Sequence, residues 1–186
     1  MQRLKKNTLT KKYNFQSVKA SVKFLNFKPH PNWRFFAITL IFRDIKLAAS
    51  DLYNFLNAPM KNQQWSWGAL RESDGALFLN VWADQSVKRD RSWYYRLTDY
   101  VAYLNKSSDN GWCERLRHIE RLSDQTRIAP TYMILCTVKD PLASPRSIAQ
   151  FDNQTLFLGG ALVFENGDWW LEASQRIHRS QIHVPI

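Results

Sequence analysis

No aspartate or glutamate occurs before Asp44, so the first 43 residues carry charge of one sign only. Cysteine is also scarce. Cys113 and Cys136 have no CxxC spacing and no second pair to complete a zinc site, so two structural thiols in a reducing cytoplasm are expected. With only 6 glycines and no internal repeat, collagen-like, repeat and low-complexity architectures are excluded. The longest apolar run, Phe35 to Phe42, is too short to cross a bilayer, and the basic N-terminus leads into no signal-peptide core. A cytoplasmic protein without a membrane partner is the expectation. Catalytic signatures are missing as well: there is no Gly-rich phosphate loop, no HExxH and no GxSxG. His30, His118, His178 and His183 lie in unrelated contexts, so no catalytic residue is assigned, and neither a metal nor a cofactor is expected. Whether the chain is an enzyme stays open, because Tyr, Arg, His and Glu can supply acid–base chemistry without a motif.

What is present is aromatic and basic. At 186 residues, 45% of them hydrophobic, the chain can bury one substantial core. It holds 8 Trp, 7 Tyr and 11 Phe, and its formal net charge is +10. All of that excess is N-terminal. Residues 1–43 carry ten basic side chains, including Lys5, Lys6, Lys11 and Lys12, and the other 143 residues balance at 16 basic and 16 acidic groups. Such an arm attracts polyanions by counterion release, without sequence preference. A solubilising tail is the plain alternative.

Taken in order, residues 1–14 read as a basic flexible arm, 15–175 as a single α+β domain and 176–186 as an irregular tail. Alternation from Phe15 to Phe27 suggests a half-buried strand, and the apolar run Trp33 to Leu47 a central one. Ser50-Asp51 can cap a short helix with Leu52, Phe55 and Leu56 inside. Helical spacing of Trp93, Leu97, Tyr100, Val101 and Leu104 predicts a second helix, with Trp93 as its core anchor. Trp112, Leu116 and Ile119 predict a third. Ala129 to Val138 reads as a strand, Ser144-Pro145-Arg146 as a helix start, and Leu156–Phe164 with Trp169–Ala173 as a hairpin closed by Asn166-Gly167.

Chemistry gathers in two stretches. In the first, Asn62 to Asp84, an Asp74-Gly75 turn joins two strand-like runs. It sets Trp65, Trp67 and Trp82 near Asn80 and Asp84, as either a packed core or a pocket whose indoles stack a base while Asn80 and Asp84 read its edge. In the second, Gln85 to Arg96, Lys88, Arg89, Arg91 and Arg96 surround Trp93, Tyr94 and Tyr95, the mixture that phosphate contact and base stacking require. Arg89 and Arg91 are the phosphate candidates there. Arg115, His118 and Arg121 form a further basic stripe, which either follows a phosphate backbone or pairs with Glu114, Glu120 and Asp124.

The run Trp65-Ser66-Trp67-Gly68-Ala69-Leu70-Arg71, followed by Leu77 to Trp82, resembles the tryptophan-bearing segments of EVE and YTH modules in the PUA-like superfamily, which also includes SRA. Lys139-Asp140-Pro141 and Pro145-Arg146-Ser147-Ile148 are similar to segments of recognition modules attached to bacterial restriction systems. The resemblance implies a strongly curved, mainly antiparallel, barrel-like sheet flanked by short helices, and an aromatic pocket for a modified or flipped base. The expected function is DNA binding in a bacterial or phage restriction or defence setting. The expected partner is nucleic acid, DNA before RNA, with a homodimer or a separate nuclease as further partners. A compact metal-independent nuclease or toxin, and a protein-interaction subunit with a basic docking arm, are the alternatives.

Overall fold

In a computed structural model of the chain, residues 49–183 are described, except 107, 125 and 127. The strands expected within Phe15–Phe27 and Trp33–Leu47, and the arm with Lys5, Lys6, Lys11 and Lys12, lie outside the described residues. The chain divides into two units, Met1–Phe42 and Arg43–Ile186, and the elements named below all belong to the second.

The elements are α1 (Ala49–Phe55), β1 (Gly68–Leu70), β2 (Leu77–Trp82), β3 (Ser86–Arg89), β4 (Ser92–Arg96), α2 (Tyr100–Tyr103), α3 (Asn110–Ser123), β5 (Thr131–Val138), β6 (Ile148–Phe151), β7 (Thr155–Glu165) and β8 (Asp168–His178). They make an α+β fold. Its one eight-stranded sheet runs β1-β2-β5-β7-β8-β4-β3, with β6 paired to β5. Among the described residues every pairing is antiparallel except β2 with β5. The path ends at β1 on one side and β3 on the other, so among the described residues the sheet is open.

Period-two alternation along β2 sends its side chains to two different cores. Phe78 joins Leu52, Tyr53 and Leu56 from α1 and the turn after it, together with Ile134 and Leu156. Leu77, Leu79 and Val81 join Ile119 of α3, with Met133, Tyr95 and Leu171. One helix therefore covers each face of the β2–β5 region. Phe55, expected inside, is 47% exposed, and Tyr53 takes its place in the core. Ser50 and Asp51 lie within α1 rather than before it.

Local turn chemistry holds where its signal is clearest. Asn166 and Gly167, at φ +52° and +83°, close β7 on β8 in a two-residue loop flanked by the pair Glu165 and Asp168. The Asp74-Gly75 turn joins β1 and β2, with Gly75 at φ +76°. Arg71, only 1% exposed, fastens this turn: it pairs with Asp74 at 2.7 Å and donates from Nη1 to the Leu56 carbonyl at 3.1 Å.

Three expectations are corrected. Ser86 to Arg96 is a β-hairpin rather than the approach to a helix, and only the single turn α2 is helical between Trp93 and Leu104. No helix starts at Ser144-Pro145-Arg146; the chain goes on to β6 at Ile148, which pairs with the edge of β5. The C-terminal segment is ordered further than expected, with β8 running to His178 and a 3-10 turn at Arg179–Gln181.

Candidate nucleic-acid interface

The β3–β4 hairpin is built by a two-residue loop. Arg89 pairs with Ser92 across it, and Asp90 adopts φ +49°, a left-handed conformation that Asp tolerates better than most residues. Arg91 is exposed at the tip. One strand pair back, Lys88 lies directly across from Trp93, and both are exposed, Trp93 to 48%. Alternation turns Arg89 and Tyr94 to the other face. There the Arg89 guanidinium stands 4.8 Å from the Tyr94 ring centroid and 5.5 Å from that of Trp170, and forms an ion pair with Glu165. Arg89 is therefore a packed and paired cation, whereas Lys88 and Arg91 are presented to solvent. Arg96 is paired as well, holding the buried Asp168, which also accepts from Thr98 Oγ1 at 2.9 Å and the Tyr100 N–H at 3.0 Å.

The three tryptophans assigned to one base pocket separate into different surroundings. Trp65 and Trp67 precede β1. Trp67 meets Tyr103 edge-on at 5.2 Å, and Tyr103 stacks on Trp112 at 4.9 Å with 6° between planes. The Trp67 backbone is held at both ends by α3. Its N–H donates to Glu114 Oε2 at 2.8 Å, and its carbonyl accepts from Arg115 Nη2 at 2.9 Å and from the Asn80 N–H at 2.9 Å. Asn80 turns its side chain to the other face, where Oδ1 accepts from Tyr53 Oη at 2.8 Å. Burial in that core pushes the Tyr53 hydroxyl far above its ordinary pKa, so it stays a donor. Trp82 and Asp84 do come together, through a residue that sequence spacing does not single out: Arg146 lies 4.9 Å from the Trp82 ring centroid and pairs with Asp84.

Arg115 corrects the phosphate assignment. It is 2% exposed, and Nη2 is spent on the carbonyls of Trp67 and Asn80, the latter at 2.6 Å. Burial pushes its pKa down to about 10, which still leaves it charged at neutral pH. Glu114, one of the acids offered as a partner for this stripe, is instead buried, where it also accepts from Ser66 Oγ at 3.1 Å. The basic stripe of α3 is thus divided between the core and a cleft.

That cleft, of about 440 Å³, is lined by Pro59, Lys61, Ala69, Leu70 and Glu72 on one side and by Glu114, Arg117, His118 and Arg121 of α3 on the other. Neither it nor a cavity of about 60 Å³ beside Arg121 is lined by any of the three tryptophans. His118 is 8% exposed, and its Nδ1 has no hydrogen-bond partner among the described residues. Burial first, then the positive charges of Arg115, Arg117 and Arg121, push its pKa down to about 3, so the imidazole is neutral at physiological pH. With no group orienting Nδ1, it lacks the partner that a general base uses to fix its tautomer.

Cys113 and Cys136 form no disulfide, and burial pushes Cys136 up to about 12, which makes it an inert core residue. Among the described residues no cluster of three or more His, Cys, Asp or Glu side chains is placed to hold a metal ion, and no helix is long and apolar enough to cross a membrane. Of the residues that sequence reasoning missed, Lys61, Glu72 and Arg117 come to the cleft from three separate segments, and only Arg117 carries a local signal, as a cation on α3. Comparison of the chain with protein-family models, with curated proteins and with solved structures finds no match in any of the three.

Proposed function

We propose that the protein binds nucleic acid, with DNA before RNA, and that the β3–β4 hairpin is the contacting element. One observation carries this reading: Trp93 stands exposed on the hairpin with Lys88 directly across from it and Arg91 at the tip. An exposed indole beside cations offers a base a face to stack on and its phosphates a counter-charge, and such stacking tolerates any base. The ten unopposed basic residues of positions 1–43 add the sequence-independent attraction that brings a polyanion to the surface.

Recognition of a modified base or a particular sequence, in a bacterial or phage restriction or defence setting, is the finer form of the proposal. The resemblance of the Trp65–Trp82 segment to PUA-like modules supports it, and a barrel-like curvature of the sheet belongs to the same reading. Trp82, with Asp84 and Arg146 beside it, is then the better choice for the base pocket, since Trp67 is bound into the packing of α3.

Fluorescence polarisation with single- and double-stranded DNA and RNA, across a salt series, tests the proposal. Trp93→Ala is expected to weaken binding by roughly five- to a hundredfold at every salt concentration, because one base stack contributes roughly 1–3 kcal/mol. Lys88→Ala with Arg91→Ala should lower the salt slope by about one for each cation removed. Unchanged affinity and slope in both variants would remove the hairpin from the interface.

A further inference from the structure

The cleft between α3 and the turns flanking β1 has features that the hairpin reading does not use. Its floor is close-packed: a Cβ on Gly68 would fall 3.3 Å from His118 Cε1, so this imidazole lies against the β1 backbone. More than nine-tenths of His118 is buried, yet Nδ1 is unsatisfied, and so are Nε of Arg121 at the cleft wall and Nε and Nη1 of Arg115 behind it, among the described residues. Buried polar groups are normally paired, and four unpartnered nitrogens on three neighbouring side chains are a conspicuous exception. All of these are donors, or in the case of His118 become one on protonation.

The charges around the cleft favour an anion. Lys61, Arg117 and Arg121 line it against Glu72 and Glu114, and Glu114 is already engaged by the Trp67 N–H and Ser66 Oγ. The volume of about 440 Å³ accommodates a tetrahedral oxyanion with part of whatever carries it.

We propose that this cleft binds a phosphate group, held by Arg117, Arg121 and Lys61 with His118 at its inner wall. The site is separate from the β3–β4 hairpin and does not rest on that assignment. The groups facing His118 are Arg115, Arg117, Arg121 and Glu114 of α3, with Lys61 and Glu72 across the cleft. In the free protein, burial and the surrounding arginines keep the imidazole neutral; an anion beside it offsets that repulsion and raises its proton affinity. A terminal monoester and an internal diester share this chemistry, so either a nucleotide or a strand is an admissible source.

The test is an NMR titration of the full chain with inorganic phosphate at one neutral pH, at constant ionic strength set with chloride. Saturable shifts are expected at Gly68, Arg117, His118 and Arg121. Arg117→Gln, at an exposed position where the fold tolerates the change, should weaken them by about tenfold, as should Arg121→Gln, while Trp93→Ala leaves them unchanged. Repeating the titration with a 5′-phosphorylated and a 5′-hydroxyl dinucleotide separates the sources: preference for the first assigns a terminal phosphate, and equal binding of both an internal one. Absence of saturable shifts at these residues, their reproduction by chloride alone, or their survival at full affinity in both arginine variants would overturn the proposal.

Discussion

His118 and Arg115 are three residues apart on α3, and both have been drawn inward at an electrostatic cost. Arg115 offsets part of that cost by donating to two backbone carbonyls, which is why its charge survives burial. His118 has no such compensation at Nδ1 and stays neutral instead. This gives stability a defined pH dependence. The unfolded imidazole takes up a proton below its ordinary pKa of about 6.5, whereas the folded one does so only near 3, so the unfolded state holds more protons between these values. The contribution of neutral His118 is thus fully present above about pH 6.5 and is lost as pH falls toward 3, by up to about 1.4 kcal/mol per pH unit. Urea unfolding of wild type and His118→Leu from pH 4 to 7.5 checks this. The difference between their slopes should vanish above pH 7 and grow toward pH 4; parallel slopes throughout would place His118 in contact with water.

At the scale of elements, α3 acts as a clamp on the segment before β1. Glu114 and Arg115 grip the Trp67 backbone, and Gly111 lets the segment come down on the helix: a Cβ there would lie 2.6 Å from both the Trp65 carbonyl oxygen and Trp67 Nε1. Gly111→Ala should therefore destabilise the protein by about 1–2 kcal/mol, the upper part of an overpacking cost of about 1–3 kcal/mol less a helix-propensity gain of about 1 kcal/mol. Thermal unfolding beside Asn110→Ala, whose side chain is exposed, measures this; equal melting temperatures would mean that the clamp gives way freely. The two hairpins marked by Asp-Gly and Asn-Gly are legible from sequence because their φ requirement is local. The third is not. Its Asp90-Arg91 loop carries no glycine, and the helical spacing of Trp93, Leu97 and Tyr100 competes with the alternation of Ser86 to Arg89. Arg146 is hidden for a related reason, since the cap-and-proline signal around it is local while its partners Trp82 and Asp84 are more than sixty positions away.

The whole molecule joins an α+β sheet to a charge distribution set almost entirely by its first 43 residues. The class of fold can be read from alternation and turns, but the parallel join of β2 to β5 cannot, because Leu77 and Thr131 meet across a long stretch of chain and no local pattern encodes the pairing. The arrangement of the site follows the same division: residue types are legible, and their company is not. Lys88, Arg91 and Trp93 are recognisable as phosphate and stacking chemistry, but the exposure of Trp93 comes from a strand register that helical spacing conceals. A basic arm alone would bind any polyanion, so the central claim is that a folded surface contacts the nucleic acid too. Ultraviolet cross-linking of the full chain to single- and double-stranded oligonucleotides, with mass-spectrometric mapping of the attached peptides, tests that claim most directly. Adducts are expected within Ser86–Arg96, centred on Trp93 and reduced by Lys88→Ala with Arg91→Ala; adducts confined to residues 1–43 would contradict the claim.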